Sequence, residues 1–154
     1  MSDTIASPES VLARATREVP VASPDDTVGE ALATLATHSF QSVATVPVCS
    51  DGRLVGILPL EELLPAAPSR RVAEMMSEPV TAHRDTDQEV AAWEMVRHGH
   101  RALAVVDDYG ALQGMVTPAD MLEVLFVEHE EDLSRLAGVV HDTQQVRTAT
   151  ITCN

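Results

Sequence analysis

Residues 46–58 read VPVCSDGRLVGIL and residues 104–116 read AVVDDYGALQGMV. Each is an apolar run, a polar turn containing Gly, and a second apolar run that closes on Gly and two apolar residues, which is the pattern of a β-hairpin. The correspondence extends outward from the hairpins. PVASPDDT over residues 20–27 aligns with PVTAHRDT over residues 79–86, and Glu30 falls on Glu89 in the same frame. Self-similarity at a fixed spacing marks a repeat architecture, and two copies of one unit occupy most of the chain.

The unit has a readable structure. In the first copy Glu18 to Ala22 is extended, and Ser23-Pro-Asp-Asp-Thr27 supplies a turn and N-cap for a helix over Val28 to Thr37, with Glu30 placed as in a capping box. Val43 to Val48 and Arg53 to Leu58 read as strands joined through Ser50-Asp51-Gly52, and a second helix starts near Leu60. The second copy gives an extended Pro79 to Ala82, a helix over Asp87 to Arg97, strands over Ala102 to Val106 and Ala111 to Val116, and a helix from Pro118. Each copy is therefore β-α-β-β-α, an α/β (α+β) fold. Near-continuous apolar strands predict sheets covered on both faces. The two units are expected to pack sheet against sheet with pseudo-twofold symmetry, followed by a C-terminal helical extension. This divides the chain into an N-terminal arm (1–17), a first repeat (18–70), a second repeat (71–126), and an acidic linker helix and tail (127–154).

Composition narrows the function. The chain has 154 residues and a formal charge of −14, with aromatics at only 3 %. A nucleic-acid partner is excluded by that charge and by the lack of an aromatic row on which bases could stack. All the basic residues are Arg, and an acidic exterior suits solvent or a cationic partner. Cys49 and Cys153 are too few and too scattered for a disulfide framework or a Cys-based zinc site, in agreement with a reducing cytosol. Met1 to Ser10 is polar and acidic, not a signal peptide, and no apolar run reaches membrane-spanning length. A cytoplasmic protein is the expectation.

Gly114-Met-Val-Thr117-Pro-Ala-Asp120 closes the second hairpin and opens the helix after it. An apolar strand ending in Gly, two apolar residues, Thr or Ser, two variable residues and Asp is the pattern of the cystathionine-beta-synthase (CBS) domain, and the chain resembles a tandem pair of them over about Glu18 to Leu125. A narrower resemblance rests on DTDQEVA over residues 85–91, GRLVGILPLEELL over 52–64 and EHEEDLSRLAG over 128–138. These are similar to the cytosolic part of the MgtE family of magnesium transporters. What the resemblance implies is a regulatory module, not an enzyme, that binds an adenine nucleotide (ATP, ADP or AMP), Mg2+ or both. It further implies a homodimer and a membrane-embedded transporter domain in the full-length protein, with the module at the cytoplasmic face of the cell membrane. The alternative is a stand-alone CBS-pair dimerisation module without ligand.

On the residues alone, Thr117 reads as an N-cap, Pro118 suits the first helical position, and Asp120 closes the box, an arrangement common at helix starts. The same geometry can hold a nucleotide: the helix N-terminus and the Thr117 hydroxyl offer donors to a phosphate, and the Asp120 carboxylate can accept from a ribose. With the resemblance, the adenine is expected against the extended segment at Val80 and Thr81, and Arg101 within reach of the phosphates. The first copy departs from the pattern, with Pro59 and Glu62 where the second has Thr117 and Asp120, so at most one competent nucleotide site per chain is expected.

The helix that Asp120 opens runs into acidic residues. Glu128, Glu131 and Asp132 share a helical face, and Glu123 lies about a turn below Asp120. By composition this is a solvated face; by the resemblance, these carboxylates are magnesium-sensing ligands that bind weakly through oxygen and retained water. Gly99 replaces an acidic position of that family, and its acidic N-terminal domain has no counterpart in residues 1–17. His98-Gly99-His100 has no acidic or Cys partner beside it and reads as surface; Trp93 and Met95 read as core or interface, and Met75-Met76 as soft filler at the junction of the copies. No P-loop lysine and no nucleophile elbow occurs.

Overall fold

The computed structural model describes residues 7–42, 44–127 and 130. In the first repeat, helix α1 (Val28–Thr37) precedes the antiparallel hairpin β1 (Thr45–Ser50) and β2 (Arg53–Pro59) and a short α2 (Leu60–Leu63). Helix α3 (Val72–Met75) leads into the second repeat, β3 (Thr81–His83), α4 (Gln88–His98), β4 (Leu103–Val106) and β5 (Leu112–Val116), and a helix over residues 118–127 (α5) follows. Strand β3 runs parallel to β4, and β4 antiparallel to β5, so this sheet is mixed. Two repeats of the predicted β-α-β-β-α plan are present, the first with its leading strand reduced to an isolated bridge, and the second closed by the helix α5.

Local chemistry places the boundaries. Thr27 caps α1 by accepting from the Glu30 amide, and Asp87 caps α4 by accepting from the amides of Glu89 and Val90. Helix α4 ends on Gly99 at φ 64°, the left-handed conformation that glycine adopts without a Cβ penalty. The first hairpin turns through Asp51 (φ 51°) and Gly52 (φ 78°), the positive pair that lets a two-residue loop match strand twist.

The leading strands differ between copies. In the second, β3 forms a regular ladder; in the first, the expected extended segment makes only an isolated parallel bridge, Ala22 to Val48. Pro24 and Pro47 stand where the second copy has His83 and Val105, and two missing N–H donors explain the lost ladder. Helix α2 is likewise one turn long, because Pro59 provides no side-chain cap and Pro65 follows closely.

The segments that precede each repeat exchange places. A 3-10 helix over Val11–Arg14 delivers Val11, fully buried, into the core of the second repeat among Ala92, Met95, Val105, Val116 and Met121. Val72 of α3, also fully buried, enters the core of the first repeat among Val28, Val48, Leu58 and Leu63. The backbone follows the same exchange: Thr16 and Met115 trade two hydrogen bonds of 2.9 Å, while Ser77 and Ile57 trade bonds of 3.0 and 2.9 Å. Each repeat thus donates an edge segment to the sheet of the other. A third cluster, Val19, Ala104 and Met115 with Leu54 and Leu112 beside it, seals the junction.

These crossings explain the glycine that ends each hairpin. A Cβ on Gly114 would lie 2.8 Å from Ala15 Cβ and 3.0 Å from the Thr16 carbonyl oxygen, whereas one on Gly56 would meet the flexible Met76 side chain, with Sδ at 2.7 Å. Met76 can turn aside more readily than backbone can. Gly114→Ala is therefore expected to cost about 1–3 kcal/mol and Gly56→Ala distinctly less, measured by urea unfolding; equal costs would contradict the crossing geometry.

The sequence places Met121, Leu122 and Leu125, and Leu63 and Leu64 in the first copy, on apolar helix faces expected to be exposed for a second copy. Met121 and Leu63 are instead buried in the two cores, whereas Leu122 and Leu64 are 60 % and 64 % exposed. Of the two residues read as core or interface, Met95 is buried and Trp93 is half exposed on α4. Burial pushes the Cys49 thiol up from its ordinary value, which keeps it protonated and unreactive.

Candidate functional site

The residues singled out for nucleotide binding all belong to the second repeat, with Val80 and Thr81 on one cleft, Arg101 on another, and Thr117 and Asp120 at the start of α5. Thr117 and Asp120 form a closed box at the start of α5: the Thr117 amide and hydroxyl both donate to Asp120 Oδ2, at 3.0 and 2.9 Å, and the Asp120 amide donates to Thr117 Oγ1 at 3.3 Å. An ionised carboxylate cannot donate, so the hydroxyl proton is committed to Asp120. Thr117 therefore orients the carboxylate, and Oδ1 is the oxygen available to a further donor such as a ribose hydroxyl. The helix continues with Pro118 and Met121, which line the neighbouring cleft.

Two clefts flank the region. One, of about 310 Å³, is lined by Val80, Thr81, Ala82, Val90, His100 and Leu103 among others, so β3 forms one wall and α4 the opposite. The other, of about 340 Å³, is lined by Met95, Gly99, His100, Arg101, Pro118 and Met121. Each is small for a ligand site, but His100 belongs to both. His100, read from the sequence as surface, is half-buried and stacks its ring on His98 at 5.4 Å.

Arg101 carries the positive charge of the second cleft, and it also lines the equivalent hollow of the first repeat with Thr45, Pro59, Leu60 and Glu61. Its guanidinium is ion-paired with Glu61 of α2. In the first repeat, Pro59 offers no hydroxyl and Glu62 is exposed, so nothing there reproduces the Thr117–Asp120 box.

The proposed cation ligands are not brought together within the described residues. Glu123 is exposed on α5, and Glu128, Glu131 and Asp132 lie outside the described residues. Among the described residues no group of three His, Cys, Asp or Glu side chains could hold a metal ion, and no helix is long and apolar enough to cross a membrane.

Comparison with known proteins bears on the same region. The family model described as the CBS domain matches residues 10–69 and 71–127. The magnesium transporter MgtE of Thermus thermophilus is 46 % identical over 93 residues, covering 60 % of this chain and 21 % of the transporter. Among solved structures, the cytosolic domain of the Mg2+ channel MgtE in complex with ATP aligns with a TM-score of 0.73 at 35 % identity, over 77 % of this chain and 50 % of that one. The soluble part of a magnesium transporter aligns with a TM-score of 0.76 at 25 % identity, over 80 % of this chain and 50 % of that one. This chain thus spans about a fifth of the length of the Thermus transporter.

Proposed function

This chain belongs to the CBS-domain family, and on that premise we propose that it is the cytosolic sensor of a magnesium transporter-like protein, taking an adenine nucleotide in its second repeat. CBS-domain pairs are non-catalytic regulatory modules, and this pair resembles the cytosolic region of the MgtE transporters. The observation that carries the nucleotide reading is the Thr117–Asp120 box, which holds one carboxylate in place. The adenine lies against β3 at Val80 and Thr81, a ribose hydroxyl donates to Asp120 Oδ1, and the phosphates reach Arg101. An MgtE cytosolic domain solved with ATP supports the same ligand class.

ATP, ADP or AMP at a hundredfold excess over its dissociation constant should stabilise the native chain by about 2.7 kcal/mol through mass action, seen as a raised melting temperature. A flat response to all of them would favour the ligand-free dimerisation module.

The regulatory part of the reading adds a homodimer and Mg2+. Exposed Leu64, Leu122 and Phe126 offer apolar surface for a second copy, and light scattering should give a dimer. The acidic residues Glu123, Glu128, Glu131 and Asp132 are then the cation ligands, whose filling closes the dimer and restrains transport. Solution scattering should show a smaller radius of gyration at millimolar Mg2+, and sodium chloride of equal ionic strength should not reproduce it. Replacing Glu128, Glu131 and Asp132 by Gln, Gln and Asn should remove the contraction; persistence in that variant would mean a solvated face and nothing more.

A further inference from the structure

Arg101 sits where the two repeats face each other, and a carboxylate of the first repeat already holds it. Its Nη1 pairs with Glu61 Oε1 of α2, with both side chains largely exposed, at 76 % and 63 %. The same guanidinium lines the clefts of both repeats. We propose that Glu61 competes with the nucleotide's phosphates for Arg101, holding the guanidinium until a phosphate displaces it, and so sets how strongly the site prefers phosphorylated adenosine. This rests on the nucleotide reading above and adds to it a selectivity determinant from the other repeat.

The exchange follows from charge. A guanidinium binds carboxylate and phosphate through the same planar fork of N–H donors, so one ligand displaces the other. Adenosine brings no anion and leaves the pair intact. AMP brings one phosphate and ATP three, so the pull on Arg101 grows along that series while the hold of Glu61 stays fixed. An exposed pair is weakly held, which makes the exchange accessible at ordinary ligand concentrations. Occupancy of the second repeat is thereby felt by α2 of the first. Arg101 is also the only cationic side chain lining the described first-repeat hollow, so a polyphosphate in the second site takes the cation away from the first.

Titration calorimetry of the full chain with adenosine, AMP and ATP tests this, using Glu61→Gln, Arg101→Met and the double variant. Glu61 is exposed in the first turn of α2, and circular dichroism should confirm that Gln preserves the fold. Glu61→Gln should raise ATP affinity about two- to fivefold, raise AMP affinity less, and leave adenosine unchanged. Arg101→Met should weaken ATP and leave adenosine unchanged, and adding Glu61→Gln to Arg101→Met should then change nothing. An equal gain in the Arg101→Met background would show Glu61 to be a merely repelling charge and overturn the proposal. An unchanged ratio of ATP to adenosine affinity in Glu61→Gln would overturn it as well, with the nucleotide site intact. A wild-type chain that binds none of these ligands would remove the nucleotide reading together with the proposal.

Discussion

Asp120→Ala is expected to weaken ATP binding by about a hundredfold and to erase discrimination between ATP and its 2′-deoxy analogue. A hydrogen bond to a charged group contributes about 1.5–3 kcal/mol, and roughly 2.7 kcal/mol is a hundredfold in affinity. Because Oδ2 is occupied by Thr117, the ribose depends on Oδ1. The same substitution removes a cap, which costs about 1 kcal/mol of stability, so binding must be measured well below the melting temperature. Asp120→Asn separates the two effects: it retains an acceptor for Thr117 and lowers the charge. It should restore much of the stability and recover little of the affinity. Wild-type ATP affinity in Asp120→Ala, measured by calorimetry, would show that the box is only a helix cap.

Much of the fold was legible because its signals are local. The Asp51-Gly52 turn, the Thr27 and Asp87 caps and the alternation of apolar runs each act within a few residues, and α1 emerges over the expected Val28–Thr37. The crossing of the leading segments was not legible. Val11–Arg14 makes a single 3-10 turn, too short to show a period, and the segment's partners, Thr86 for Val11 and Met115 for Thr16, are far along the chain. The strand loss at Ala22 was visible in principle, since Pro24 and Pro47 were in the sequence, but proline speaks against a ladder only when the facing strand is known. For the site, Thr117 and Asp120 stood out because capping chemistry needs those types at that spacing. Arg101 is expected near the phosphates, but its pairing with Glu61 was not legible, because nothing local links a residue at the end of one loop to a helix in the other copy.

Val11→Asp is expected to unfold the second repeat, although Val11 precedes the whole first repeat in sequence. The side chain is fully buried among Ala91, Ala92, Met95, Leu103 and Met121, and an unpaired carboxylate there has no compensating charge, a change that costs about 3–5 kcal/mol. Domains of this size hold only about 5–15 kcal/mol in all, so the loss is a large share of the total. Val11→Ala, which only trims the contact, should cost about 2 kcal/mol. The chain carries a single Trp, Trp93 on α4 of the second repeat, and its fluorescence reports that repeat directly. Urea unfolding followed at Trp93 should shift strongly for Val11→Asp. Val72→Asp, which strikes the first-repeat core, should act there first, seen by hydrogen exchange in β1 and β2. Because β5, α5 and the Thr117–Asp120 box stand on the core that Val11 completes, Val11→Asp should also lose ATP binding without touching the site. A Trp93 transition that stays within about 0.5 kcal/mol of wild type would mean that the leading segment decorates the second repeat and does not build it.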